Sequence, residues 1–373
     1  MATERFSLKD HLFNAEKVSF LGGLLATGVP DFDRSRFETE VMRELSDLGL
    51  KERIALIARV LAGHLDWNFD VAATQIRASL PPPLDPTLTD DDFGDFIIAP
   101  FGKYIEDNGL HHYGTSIRLL HDVTMRFSME GSIRPFIDAE PERTLEIFHG
   151  WVRDENYHVR RLVSESTRPL LPWAPRIGID VAAAIPLLDS LHTDPTRYVT
   201  RSVANHVNDI SKIDSSLALA TVERWIAAKD QERKELAWMA RHSLRTLIKR
   251  GDPDAMEMLG YSRDPEVVAV VNNTTPKVRP GTALTFAVTL SAAGQVDLLV
   301  DYAIEFVKKN GERRPKIFRL GDFKIGAGES KTITKRHPLR TDATTYTLYP
   351  GTHLVRILAN GKQLADFSFE LQM

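Results

Sequence analysis

The spacing of apolar residues changes once along this chain, near residue 262, and that change limits the folds open to it. Before it, apolar residues recur at three- and four-residue steps, as in 8–25, 37–64, 117–129, 144–152 and 217–228, the period of amphipathic helices. After it come short runs rich in β-branched and aromatic residues at 267–271, 284–290, 298–306, 332–334, 352–358 and 367–371, many of them alternating. Asn272-Asn273, Pro280-Gly281, Asn310-Gly311, Gly326-Ala327-Gly328 and Asn360-Gly361 punctuate these runs, and the two Asn-Gly pairs are strong hairpin turns. Seven or so strands in roughly 105 residues fit an immunoglobulin-like sandwich. The expected organisation is a mainly α domain over 1–262 and a β-sandwich over 263–373, with 252–264 as last helix and linker.

The helical half repeats itself. Asp154…Val159-x-Arg161 recurs as Asp194-Pro195…Val199-x-Arg201, and 235–245 carries the same apolar spacing a third time. A period near ~40 residues with paired helices is the pattern of HEAT-type stacks. Each pair leaves an apolar face that only its neighbour covers, so a solenoid is expected with its inner helices lining one concave surface. Aspartate near each inner helix start suits capping and the helix dipole. Glu165, Arg168, Asn205, Asn208, His242 and Arg245 then fall on or near equivalent polar faces of successive inner helices.

Composition narrows the function classes. With 373 residues and 43% hydrophobic content, two cored domains are expected rather than a disordered chain. No apolar run is long enough to span a membrane, and the opening residues 1–6 lack the form of a secretory signal. Cysteine is absent, which removes disulfides, thiolate catalysis and Cys-ligated metals and fits a reducing cytosol. The net charge of −4, from 47 basic and 51 acidic residues, does not by itself imply nucleic acid, so such a role must rest on local clusters. These exist: Arg241, Arg245, Lys249 and Arg250 without an acid, and Lys308, Lys309, Arg313, Arg314, Lys316 and Arg319 against Glu312 alone. Acids gather at Asp90-Asp91-Asp92 and Asp95. There is no P-loop, dinucleotide fingerprint, nucleophile elbow or helical zinc pattern, and His111-His112 is a weak metal pair.

The tract 154–173 carries the most chemistry. Val159, Leu162, Val163, Leu170 and Leu171 form an apolar stripe; the arginines lie off it and are expected to face away from the core. Glu165 stands four residues after Arg161 and three before Arg168, so all three share one helical face. Such a face grips anions and stabilises cations, and Trp173 adds a π-surface for a cation. An ordinary surface salt-bridge ladder, with Trp173 plugging a repeat interface, explains the same residues.

His158-Val159-Arg160-Arg161-Leu162-Val163-Ser164-Glu165 with Arg168-Pro169…Leu171-Pro172-Trp173-Ala174 resembles the AlkC family of bacterial DNA alkylation-repair glycosylases. So do Leu8-Lys9-Asp10-His11-Leu12-Phe13-Asn14 and Leu119-Leu120…Met125-Arg126-Phe127-Ser128-Met129-Glu130. The resemblance covers the helical half, and the β-rich tail resembles the immunoglobulin-like domain that some members carry. It implies a HEAT-like fold and a monofunctional DNA glycosylase without cofactor or metal. The implied substrates are cationic bases such as 3-methyladenine and 3-methylcytosine, released from duplex DNA without full flipping. Glu165 is the first choice for stabilising the sugar cation and Glu130 the second; Trp173 would stack on the lesion, and Arg161 and Arg168 would hold phosphates. Repeat geometry adds Asn205, Asp209, Trp238, Arg241 and Arg245 as DNA contacts. In the tail, Lys308, Lys309, Arg313, Arg314 and Lys316 either extend the DNA grip or decorate a structural cap. A monomer in the bacterial cytoplasm, associated with the nucleoid, is implied. The rival readings are a HEAT scaffold for proteins and a non-catalytic binder of alkylated DNA.

Overall fold

A computed structural model describes residues 7–88, 93–343 and 346–372. The Asp90-Asp91-Asp92 cluster and residues 1–6 lie outside the described residues. The chain divides into two compact units. One holds the described residues up to Ile213 together with Arg224–Met239, the other Asp214–Glu223 together with those from Ala240 on.

The first unit is a paired-helix stack of HEAT type. One layer is α2 (Ala15–Gly28), α5 (Phe69–Ser79), α7 (Tyr113–Thr124), α10 (Tyr157–Ser166) and α12 (Arg197–Ile210), each packed on the next. The second layer is built from α3 (Arg34–Leu45), α4 (Leu50–Ala62), α6 (Ala99–Asn108), α8 (Arg134–Ala139), α9 (Pro141–Trp151) and α11 (Ile185–Leu191). The short α1 (Leu8–Leu12) precedes them; α13 (Ser215–Ala228) and α14 (Arg233–Ser243) follow. The segments 8–25 and 37–64 each resolve into two helices. Asn14 caps α2 by accepting from Lys17 N at 3.0 Å, and the chain turns at Gly49 before α4.

The repeat is stitched by side chains as well as by packing. Asp154 and Asp194 sit two residues before the caps Asn156 and Thr196 and accept their backbone N–H at 2.8 and 2.9 Å. Each also meets a basic side chain from the preceding repeat: His121 Nε2 lies 2.8 Å from Asp154, and Arg160 Nε lies 2.5 Å from Asp194. Arg197 and Thr200 of α12 continue the ladder to Glu235 of α14. The aspartates that mark the repeat in the sequence thus organise the helix start and join it to its neighbour.

In the second unit, two sheets form the sandwich. β1 (Val267–Asn273), β3 (Ala283–Ala292) and β6 (Ser330–Pro338) make one, in the order β1-β3-β6. The other is β2-β8-β7-β4-β5, from β2 (Lys277–Val278), β4 (Val296–Val307), β5 (Arg313–Ile325), β7 (Gly351–Ala359) and β8 (Lys362–Leu371). Pairing is antiparallel except for β2 with β8. Alternation works as expected: Leu284, Phe286, Val288 and Leu290 of β3 point into a core with Val300, Tyr302, Ile304 and Phe369. Asn360 and Gly361 have φ of 47° and 80°, which a two-residue hairpin turn between β7 and β8 requires. β5 has no clear signal in the sequence, because it is a polar edge strand interrupted by Pro315.

α15 (Arg245–Arg250) and α16 (Pro253–Met258) group with the sandwich. Arg241 Nη2 reaches Asp322 of β5 at 2.6 Å, Tyr261 Oη donates to the same carboxylate at 3.0 Å, and Asn360 Nδ2 donates to Ser262 O at 3.1 Å. A Cβ at Gly361 would lie 2.5 Å from Gly251 O, so this close approach depends on glycine.

Candidate active site

The face shared by α7's exit, α10 and α12 gathers three carboxylates and two arginines. α10 starts cleanly because Asn156 Oδ1 accepts from His158 N at 2.9 Å. Apolar Val159, Leu162 and Val163 seat it, but the helix is buried well beyond that stripe. Arg161 and Arg168 are each 7% exposed and Glu165 5%. The expectation that these arginines face away from the core therefore needs correction, and so does the surface-ladder alternative. The neighbouring helix α12 covers their face and supplies partners that a single-helix pattern does not show.

Glu165 lies at the centre. Arg168 Nη1 contacts its Oε1, Arg161 Nη2 lies 3.8 Å from its Oε2, and Ser202 Oγ of α12 donates to Oε2 at 2.6 Å. Arg168 in turn is held by Asp209, Nε to Oδ2 at 2.9 Å and Nη2 to Oδ2 at 2.8 Å, while Lys212 Nζ takes Oδ1 at 2.8 Å. Arg161 points to the second carboxyl: its Nη1 donates to Ser128 Oγ at 2.8 Å and lies 3.4 Å from Glu130 Oε2. Ser128 also contacts Glu130. The Arg161 guanidinium sits 4.5 Å from the centre of the Tyr198 ring.

Two carboxyls bridged by one arginine titrate apart. Burial alone would raise Glu165, but Arg161 and Arg168 outweigh it and hold its carboxyl below the ordinary value. Burial raises Glu130, Arg161 opposes this, and the Glu165 charge adds to the rise. His206 of α12, whose Nδ1 faces Ser164 O at 3.0 Å, is pushed down to about 4 by burial. Glu165 is thus the member whose ionised form is favoured, and Glu130 the one that holds its proton more tightly.

Trp173 presents the opposite picture. It is 72% exposed with φ of 65°, so it plugs no repeat interface. A tryptophan in the left-handed region costs about 1–3 kcal/mol and persists only where its surroundings impose it. Lys51 Nζ donates to Trp173 O at 2.5 Å. Buried Arg134 clamps the same turn, donating to the carbonyls of Ser166, Arg168 and Pro175 at 2.8, 2.9 and 2.8 Å.

The remaining expected residues are more dispersed. Asp209, expected to contact DNA, is 1% exposed and engaged with Arg168 and Lys212. Arg161 and Arg168, expected to hold phosphates, direct their charge to carboxylates in this structure. Asn205 and Trp238 are half-buried, Trp238 lying 3.9 Å under the Arg197 guanidinium. Arg241 is engaged with Asp322 and Tyr261, and Arg245 Nη1 donates to His242 O at 2.5 Å. Lys308 pairs with Glu312 at 3.3 Å, Arg313 donates to Thr352 O at 3.0 Å, Lys309 and Arg314 are exposed, and Lys316 lies 4.7 Å over Tyr346. His112, of the weak metal pair, stacks on Phe69 at 4.9 Å. Ser128, Ser202, Arg134 and Lys51 escaped the sequence reading, since nothing in a lone serine or lysine announces a partner 30 or more positions away.

Comparisons with known proteins place this geometry. A family model described as "Uncharacterised protein YhaZ, C-terminal Ig-like domain" matches residues 267–373. The "Uncharacterized protein YhaZ" of Bacillus subtilis (strain 168) is 30% identical over 365 residues, covering 96% of this chain and 98% of that protein. Among solved structures, the Pseudomonas fluorescens alkylpurine DNA glycosylase AlkC, bound to DNA containing an abasic site analog, is 32% identical with a TM-score of 0.85. That match covers 99% of this chain and 100% of the other.

Proposed function

The chain belongs to the AlkC family, and from that premise we propose that it is a monofunctional DNA glycosylase. It releases cationic alkylated bases, chiefly 3-methyladenine and 3-methylcytosine, from duplex DNA. The observation that carries this reading is an ionised, buried Glu165 beside a second carboxyl, Glu130, of raised pKa. An N3-alkylated base already bears the positive charge that makes it a leaving group, so no acid needs to protonate it. As the bond from C1′ to the base nitrogen breaks, its electron pair neutralises the base and positive charge moves to the sugar. Glu165, kept anionic by Arg161 and Arg168, stabilises that charge best where water is excluded. Water adds to C1′, and its proton passes to Glu130, whose raised pKa makes it the stronger base of the two carboxylates. Trp173 stacks on the lesion or its deoxyribose without full flipping of the nucleotide.

The proposed division of labour gives excision to residues 1–262 and an additional grip on the duplex to 263–373. Arg161 and Arg168 act by shaping the Glu165 field rather than by binding phosphate. Asn205, Trp238, Arg241, Arg245, Lys308, Lys309, Arg313, Arg314 and Lys316 remain proposed DNA contacts. We place the protein in the bacterial cytoplasm, on the chromosome, acting as a monomer. The test is direct: incubate the protein with methylated duplex DNA and separate the released bases. The expected result is 3-methyladenine and 3-methylcytosine above the heat-only background, with no strand cleavage until alkali is added. Release no greater than heat alone would sink the proposal.

A further inference from the structure

Arg161 stops short of both carboxyls it serves. Its Nη1 lies 3.4 Å from Glu130 Oε2 and its Nη2 3.8 Å from Glu165 Oε2, whereas a charge-assisted bond closes to about 2.7–2.9 Å. Its other polar contacts do not account for this. Ser128 Oγ accepts from Nη1 at 2.8 Å and draws the guanidinium toward Glu130, while Arg168 and Ser202 already engage the two oxygens of Glu165. Under these forces alone the guanidinium would close on Glu130.

The opposing hold acts on its flat face. The ring of Tyr198, on α12, lies against the guanidinium, 4.5 Å from Cζ to ring centre, and the Phe93 ring lies at 5.7 Å. Tyr198 has no room to shift. It is 2% exposed and meets Phe93, Tyr157 and His158 edge-on at 5.5, 5.8 and 5.5 Å, the favoured geometry for aromatic pairs. Burial raises the pKa of its phenol, so it offers Arg161 a neutral ring. Its hydroxyl makes no hydrogen bond among the described residues, which leaves the ring as the working part. Arg143 on Tyr113 at 4.1 Å and Arg197 on Trp238 at 3.9 Å are similar stacks, but those arginine side chains are 54% and 36% exposed. Only a desolvated stack has the strength to compete with a carboxylate.

We infer that Tyr198 is a positioning residue of the excision site: its buried ring holds the Arg161 guanidinium between Glu130 and Glu165 and keeps it from closing on Glu130. That the two carboxyls perform excision rests on the function proposed above; the hold on Arg161 rests on the geometry. The consequence is electrostatic. With Arg161 shared, Glu130 stays raised and Glu165 lowered; an arginine closed on Glu130 would lower that carboxyl and leave Glu165 to Arg168. Tyr157, His158 and Arg168 face this cluster from α10 and its exit, and Arg201, His206 and Asp209 from α12.

The test follows the two carboxyls by 13C NMR in the full chain labelled at glutamate, with signals assigned through Glu130→Gln and Glu165→Gln. Tyr198→Leu should lower the Glu130 titration by about one unit and raise that of Glu165, so that the two approach each other. Tyr198→Phe, which keeps the ring, should restore both. In an Arg161→Gln background, Tyr198→Leu should move neither, because the ring then has no guanidinium to hold. In wild type, 15N spectra should show separate Nη1 and Nη2 signals for Arg161; one averaged signal would overturn the inference even where the leucine variant does not fold. On methylated duplex DNA, Tyr198→Leu should excise about tenfold more slowly, with its acid limb displaced to lower pH, because Glu130 has become a weaker base. Unmoved carboxyl titrations in folded Tyr198→Leu, or Tyr198→Phe moving them as far as leucine does, would overturn the inference. If no form releases 3-methyladenine above the heat-only background, the glycosylase reading fails, while the titrations still decide this one.

Discussion

Glu165 shows how a residue's environment decides what its substitution means. Its carboxylate is buried between Arg161 and Arg168, and removing one partner of a buried pair typically costs about 3–5 kcal/mol. Glu165→Ala is therefore expected to lower stability as well as activity, and Glu165→Gln, which keeps the shape, is the informative variant. We expect it to cut excision of 3-methyladenine about 10²-fold or more in single-turnover assays; near-wild-type rates would remove Glu165 from the chemistry. Ser202 acts through Glu165. Its hydroxyl bond to Oε2 is one of the contacts that lower that carboxyl. Ser202→Ala should reduce kcat roughly tenfold, consistent with loss of one hydrogen bond to a charge, and shift the acid limb of the pH–rate profile upward. Ser202→Thr, which keeps the hydroxyl, should restore the limb. A Ser202→Ala profile that drops in height without moving would mark the serine as packing alone.

At the level of elements, the recurrent aspartate is both a helix-start device and a joint. The Arg160–Asp194 pair is largely buried, whereas Arg59–Glu44, between α4 and α3, is largely solvated. Asp194→Ala should destabilise the helical unit by about 3 kcal/mol in urea unfolding, because it strands the Arg160 charge and frees the Thr196 N–H. Glu44→Ala should cost under about 1 kcal/mol. Comparable losses at both sites would mean that the inter-repeat ladder adds little to packing. The aspartates and their step were legible in the sequence, because a repeat is a one-dimensional pattern. Their basic partners were not, since His121 and Arg160 differ in type and lie 33 and 34 positions from the acids they meet. The Asn-Gly turns were equally legible. β5 was not, because an edge strand with exposed cations has no alternation to reveal it.

For the whole molecule, two buried histidines shape the response to acid. His206 in the helical unit and His337 in the sandwich are each lowered from 6.5 to about 4, mainly by burial. A depressed folded-state pKa favours the neutral native form, so the associated stability is full above 6.5 and declines as pH falls toward 4. Each group adds a slope of up to about 1.4 kcal/mol per pH unit within that window. Glu165, also depressed, adds a further loss only below its ordinary value of 4.5. Urea midpoints should therefore fall between pH 7 and pH 5, more steeply in the sandwich, where His353 is also depressed, than in the helical unit, where the raised His121 opposes the fall; a flat profile in the sandwich would contradict the buried-histidine account. The sequence by itself determined the two periods, the helical repeat, the hairpin turns and the placing of Arg161, Glu165 and Arg168 on one helical face. These are properties of residues within one element, and local periodicity encodes them. Only the tertiary structure decided that this face is buried, that Ser128, Ser202 and Asp209 complete it, that Arg134 fixes the Trp173 turn, and that α15 and α16 pack with the sandwich. Burial and partner choice arise from contacts between elements 30 to 40 or more residues apart, and no local pattern carries that information.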